Sequence, residues 1–195
     1  MSTQPTAFLT PEQYLEIERR AEHKSEYYRG EMFAMSGAQR AHNTIVANII
    51  GSFHLQLRSG PCQVFPSDMR VKVADTGLYT YPDTTVVCGE PKFADGNFDV
   101  LLNPVVLVEV LSPSTERSDR VFKLKLYQTI GSLQHCLLIA SEYRQVDLYS
   151  RQPDGSWTHM IATKPEESVE LLSVKCRLAL SDLYERVEVL KNRQS

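Results

Sequence analysis

Between Val105 and Leu111 the chain reads Val-Val-Leu-Val-Glu-Val-Leu, apolar on both faces of a strand except at Glu109. A strand with no polar face has to be central and covered on both sides, which requires a sheet flanked by helices. Ser112-Pro113-Ser114-Thr115 ends the run, and a helix is predicted from there to about Ile130. Gly131 then leads into a second apolar strand, Cys136-Leu137-Leu138-Ile139-Ala140. Strand, helix and strand in that order make a crossover unit whose two strands are parallel neighbours.

The remaining segments build around this unit. Thr10-Pro11-Glu12-Gln13 has the pattern of a capping box with proline at the first helical position, and Tyr14, Ile17 and Ala21 carry helical spacing to about Lys24. Glu26-Tyr27-Tyr28 and Met32-Phe33-Ala34-Met35 flank Arg29-Gly30 and predict a hairpin. A second helix from Arg40 to Leu57 carries Ile45, Ile49, Phe53 and Leu57 on one stripe, and Gly60-Pro61 stops it. Gln63–Phe65, Met69–Val73 and Asp83–Cys88 read as strands. Val146–Tyr149, Trp157–Ala162 and Val169–Leu172 predict an antiparallel meander, and Ser181–Tyr184 begins a short closing helix. The fold class is α/β: a mixed central β-sheet flanked by helices, with an N-terminal helix and hairpin and a C-terminal meander. One domain is expected over 1–195, with 1–9 flexible and 188–195 a frayed tail.

Composition removes several classes. At 42% hydrophobic and 23% charged residues the chain is an average globular protein, not a disordered tail or a fibre. No run is long enough to span a membrane, and the first residues lack the pattern of a secretory signal. A cytoplasmic location is therefore expected, with Cys62, Cys88, Cys136 and Cys176 as reduced thiols. Their scattered spacing argues against a zinc site. The net charge of −3 argues against a generic nucleic-acid coat but suits an enzyme that gathers carboxylates around a metal. Neither G-x-G-x-x-G, nor the P-loop pattern, nor G-x-S-x-G occurs.

Glu109 is the polar group in the wrong place. An ionised carboxylate inside such a strand costs several kcal/mol unless it is paired or bound to a metal. Two readings follow: a buried ion pair tying the sheet to a helix, or a metal ligand or acid with a raised pKa. Asp83 opens an earlier strand just after Tyr81-Pro82, at a sheet end where it is either a turn former or a second ligand. Two such carboxylates are the minimum for Mg²⁺, which keeps waters and phosphate oxygens in its other positions.

These residues resemble the metal-binding core of the PD-(D/E)XK nuclease superfamily, and more narrowly the Uma-type family of restriction-endonuclease-like proteins. The likeness rests on Asp83, Glu109 and the run Val108 to Thr115. It extends to Glu26, Gly30-Glu31, Met35-Ser36-Gly37, His42, Pro82, Asp119-Arg120, Lys123 and Tyr127, covering about Pro11 to Tyr149. The resemblance implies a restriction-endonuclease-like core and hydrolysis of phosphodiester bonds in nucleic acid, DNA first. It implies Mg²⁺ or Mn²⁺ held by Asp83, Glu109 and the Val110 carbonyl, with Glu26 binding or orienting. The superfamily's usual lysine, two residues after the glutamate, is Leu111 here. Lys123 is the candidate replacement, with Lys125 in reserve. Asp119, Lys123 and Tyr127 recur every four residues and so share a helical face, where Asp119 and Lys123 also suit a plain ion pair. His42, Arg40 and Arg120 are the candidate contacts to nucleic acid. A homodimer is expected, as two related sites cut a duplex most simply. The competing readings are a catalytically inactive binding or assembly module on the same fold and a metal-dependent hydrolase acting on some other phosphoester.

Overall fold

The computed structural model describes residues 8–73, 76–113 and 115–189. The loose ends expected at 1–9 and 188–195 fall largely on 1–7 and 190–195, outside the described residues, as does Ser114. Thirteen strands and five α-helices are described: α1 (Pro11–Glu18), β1 (Ser25–Tyr28), β2 (Glu31–Ala34), α2 (Arg40–Leu57), β3 (Cys62–Pro66), β4 (Arg70–Val73), β5 (Leu78–Thr80), β6 (Thr84–Cys88) and β7 (Val100–Leu101). Then come β8 (Val106–Leu111), α3 (Glu116–Ser118), a π-helical segment (Asp119–Lys123), α4 (Leu124–Tyr127), β9 (His135–Ala140), β10 (Val146–Arg151), β11 (Trp157–Ala162), β12 (Ser168–Leu171), β13 (Cys176–Ala179) and α5 (Leu180–Leu183).

The central sheet has six strands in the order β11-β10-β9-β8-β6-β3. As the crossover requires, β8 and β9 are parallel, and the other pairs are antiparallel. Every residue of β8 and of β9 is buried. Alternation divides β8 between two cores. Val106, Val108 and Val110 meet the Ile45, Ile49, Phe53 and Leu57 stripe of α2. Leu107 and Leu111 face the other way, with Leu124, Tyr127 and Leu133. Because side chains alternate with a period of two, Glu109 belongs to the second face and points at the crossover helix.

A second, five-stranded sheet, β2-β1-β5-β4-β7, carries the predicted hairpin at one edge. One face of it packs on α1 through Tyr14, Tyr27, Tyr79 and Val100. The other face presents Glu26 and Thr80 toward the crossover helix, where Thr80 donates its hydroxyl to Glu26.

Several expectations need correction. Helix α1 keeps its capping box, with Thr10 N donating to Gln13 at 2.8 Å, but ends at Glu18 rather than near Lys24. Ile17 is 46% exposed, so the apolar spacing beyond Tyr14 has no core to meet, and Arg19 is drawn off to Asp95 and Asp99. Strand β5 went unpredicted because its three residues are too short for a period to show. The meander loses its third strand: β12 pairs with β13 rather than β11, and their apolar side chains close the α2 core.

The four cysteines are not all thiols. Cys62 and Cys88 face each other across the β3–β6 register and form a disulfide, whereas Cys136 and Cys176 are free and buried. Sequence spacing cannot foresee that pair, because the strand register alone brings the two together. The bridge closes a loop of 26 residues. On loop-closure entropy, Cys62→Ser with Cys88→Ser is expected to lower unfolding free energy by about 3 kcal/mol. Urea unfolding of the oxidised protein and the double variant checks this; an equal midpoint would show that the bridge contributes nothing. Among the described residues no helix is long and apolar enough to cross a membrane.

Candidate functional site

The register of β6 against β8 pairs Thr84 with Val108 and Thr85 with Leu107. The ladder ends there, and Asp83 stands in the bend just before it. It is tied to β8 beside Glu109, since Val110 N–H donates to Asp83 Oδ2 at 2.7 Å. His42 Nε2, in the first turn of α2, lies 3.1 Å from the same oxygen. No hydrogen bond from the described residues reaches Asp83 Oδ1.

Glu109 is met from the crossover helix. Tyr127 donates its hydroxyl to Glu109 Oε1, and Lys123 Nζ lies 3.5 Å from that oxygen. Lys123 also pairs with Glu26 at 2.7 Å and Asp119 at 3.3 Å. The helical face predicted from the four-residue spacing therefore exists, though built differently. The helix is interrupted by the π-helical segment, in which Leu124 N–H reaches back to Asp119. Such interruptions are frequent at functional sites. Glu109 Oε2 takes no hydrogen bond among the described residues.

Three carboxylates, Glu26, Glu109 and Asp119, thus share the Lys123 ammonium in a cavity of about 670 Å³, and Asp83 lines the same cavity. Burial pushes Glu109 well above the ordinary carboxylate range; Lys123 opposes this, while Asp119, Asp83 and Glu26 add to it. Asp119 is raised for the same first reason, burial, again against the pull of Lys123. Burial would lower Lys123, but Glu109, Glu26 and Asp119 more than reverse it and hold the ammonium charged. Burial likewise works against a charged His42, and the hydrogen bond and charge of Asp83 overcome it, so its pKa is raised. Tyr127, buried beside Glu109, is raised and stays a phenol that donates.

The donor set can be tested for a cation. No group of three His, Cys, Asp or Glu side chains among the described residues is arranged to hold a metal. A closed site of the structural-zinc kind is therefore not built here. What remains is Asp83 and Glu109, which share the cavity wall and each keep one oxygen that takes no hydrogen bond among the described residues, and this fits a hard cation that takes one or two carboxylates and keeps waters.

Most sequence candidates converge. Asp83, Glu109, Val110, Glu26, Lys123 and His42 all line the cavity. Glu26 is no solvated hairpin residue, since its side chain is 18% exposed and ion-paired. Leu111, in the usual lysine position, is buried in the core beside the site. Arg120 is placed elsewhere, its guanidinium bonded to Glu116 and Asp147 at 2.9 and 2.8 Å. Arg40 is exposed at the start of α2, outside the cavity wall, and Lys125 is exposed on the crossover helix. Thr80 was missed because β5 was missed. Asp119 was visible as an i,i+4 partner of Lys123 and as part of the family likeness, without a role of its own.

A family model described as "Uma2: Putative restriction endonuclease" matches residues 11–181. The chain belongs to the Uma2 family. Two relatives from Synechocystis sp. (strain ATCC 27184 / PCC 6803 / Kazusa) are similar along most of their length. Uncharacterized protein slr1290 is 34% identical over 180 residues, covering 92% of this chain and 93% of that protein. Uncharacterized protein sll1609 is 36% identical over 152 residues, covering 78% and 86%. A crystal structure from Anabaena variabilis, described as a putative nuclease belonging to DUF820, superposes with a TM-score of 0.73 at 19% identity, over 92% of this chain and 99% of that one. At that identity the likeness establishes the fold, which is restriction-endonuclease-like. The Uma2 chain thus has the α/β architecture expected from its sequence.

Proposed function

We propose that this Uma2 protein is a metal-dependent nuclease that hydrolyses phosphodiester bonds, with Asp83, Glu109 and the Val110 carbonyl holding Mg²⁺ or Mn²⁺. The observation that carries the reading is that Asp83 and Glu109 line one cavity side by side, each with an oxygen that takes no hydrogen bond among the described residues. Bound there, the cation supplies a Lewis acid beside the scissile phosphate. The chain's own residues do the rest. Val110 N–H and His42 fix Asp83 Oδ2, which leaves Oδ1 aimed by rotation alone. Tyr127 holds Glu109 in one rotamer. Lys123, kept cationic by Glu26 and Asp119, is the charge nearest Glu109 and faces the developing negative charge of the transition state. Arg40, exposed on the first turn of α2, is free to meet a phosphate further along the strand. A homodimer would serve if both strands of a duplex are cut.

The test is incubation with plasmid, single-stranded DNA and structured RNA in Mg²⁺ or Mn²⁺, beside Glu109→Ala. Cleavage that needs the cation and disappears in the variant supports the reading. Titration calorimetry is a second arm. Burial raises Glu109 and Asp119, so any proton these carboxylates hold leaves when Mg²⁺ or Mn²⁺ binds, and the apparent heat is expected to change with the ionisation enthalpy of the buffer, increasingly so toward lower pH. No heat and no thermal shift with either cation would favour the binding-module reading instead.

A further inference from the structure

We infer that the substrate is nucleic acid with unpaired nucleotides at the cleavage point, and that Phe33, with Met35 beside it, is the surface on which a base stacks. The inference rests on the nuclease reading and adds its substrate class.

Its ground is the β1–β2 register, in which Phe33 sits directly opposite Glu26. Opposed residues of an antiparallel pair point to the same face. Glu26 reaches Lys123 at 2.7 Å, so that face looks into the cavity. Phe33 therefore stands one strand further out, on the edge strand, at the lip of the same cavity. Its ring is 49% exposed, and Met35, also in the wall, is 36% exposed. The opposite face of the hairpin gives Met32 and Tyr27 to the α1 core, so Phe33 is not a core residue left uncovered by accident.

Charge points the same way. The lysines in the cavity wall are Lys24 and Lys123, and no arginine lines it. Lys24 is engaged by Asp68 at 2.6 Å and by the Ser67 carbonyl at 3.1 Å, while Lys123 is engaged by three carboxylates. His23 and His42 complete the basic side chains of the wall, and His42 is held by Asp83. Continuous duplex binding draws its affinity mainly from cations on phosphates. With the lysines of the wall engaged and Arg40 outside it, contact with base faces is left to supply affinity at the cavity, and those faces are accessible only where bases are unpaired. One site then suffices for one strand, which removes the reason for a homodimer.

The test measures binding of one labelled oligodeoxynucleotide, single-stranded and as its blunt duplex, by fluorescence anisotropy in Ca²⁺ with the full chain. The single strand is expected to bind at least about tenfold tighter than the duplex. Phe33→Ala is expected to lose about tenfold toward the single strand only, with Phe33→Trp retaining it. A 2-aminopurine placed in the strand should be quenched by the parent and Phe33→Trp and not by Phe33→Ala. Thermal melting of each variant guards against unfolding. Equal affinity for strand and duplex, or a Phe33→Ala that binds like the parent or weakens on both, overturns the proposal while the nuclease reading stands on its cleavage assay. Binding to neither, with no cleavage, removes that reading and this proposal together.

Discussion

Asp83→Asn is expected to lower metal-dependent cleavage by about a thousandfold or more, without weakening the metal-free fold. Asparagine keeps a carbonyl oxygen where Asp83 Oδ2 accepts from Val110 N–H, so the turn into β6 survives. What it removes is the charge beside Glu109. That charge is one of those that raise Glu109, so its loss relieves repulsion in the metal-free protein. Cleavage rates with Mg²⁺ and Mn²⁺, together with urea unfolding in chelator, read the two halves separately. Cleavage surviving within tenfold would release Asp83 from its role; a fold that becomes much less stable would make Asp83 a structural turn former instead.

Lys123→Met should act on stability as strongly as Asp83→Asn acts on rate. Removing one partner of a buried ion pair leaves the others uncompensated and typically costs about 3–5 kcal/mol. Here three carboxylates share that ammonium. Unfolding in urea at pH 7 without metal should show the loss, and Glu109→Gln added to Lys123→Met should recover a large part of it, as coupled neighbours do. A loss under about 1 kcal/mol would mean that the cluster already sits protonated at pH 7 and needs no cation.

The pH dependence has a definite sign. Glu109 carries a folded-state pKa above its ordinary 4.5, so the native state binds more protons than the unfolded one over the window above that value. Stability from this group is full below 4.5 and is lost as pH rises through the folded value. Asp119, raised from 3.8, behaves alike. The Lys123→Met deficit is therefore smaller at pH 5 than at pH 8. Under the proposed function, a cation filling the cluster would let a chain of net charge −3 act on a polyanion, since clustered acids repel phosphate until a cation fills them.

Of the two readings of Glu109, the buried ion pair to a helix is present, through Lys123. The metal-ligand reading belongs to the proposed function and rests on the Glu109 oxygen that takes no hydrogen bond among the described residues. Leu111 occupies the usual lysine position, and the ammonium that meets Glu109 comes instead from the crossover helix, with Lys123 Nζ 3.5 Å away.

What the sequence determined by itself is local or periodic. The two-faced apolarity of Val105–Leu111 and the crossover after it required parallel central strands, and the stripe on Arg40–Leu57 required a helix packed across them. Thr10 to Gln13 capped a helix, and the spacing of Asp119, Lys123 and Tyr127 placed three polar groups on one face. Only the tertiary structure decided which groups meet across long separations. The pairing of β6 with β8 brings Asp83 to the Val110 N–H beside Glu109, α2 delivers His42 to Asp83, β1 carries Glu26 to Lys123, and the β3–β6 register joins Cys62 to Cys88. It also sent Arg120 to Asp147 rather than to the cavity. Periodicity records which face of an element is buried, because burial repeats along one segment. Register between strands is settled by the packing of both partners at once, and neither partner's sequence holds it alone.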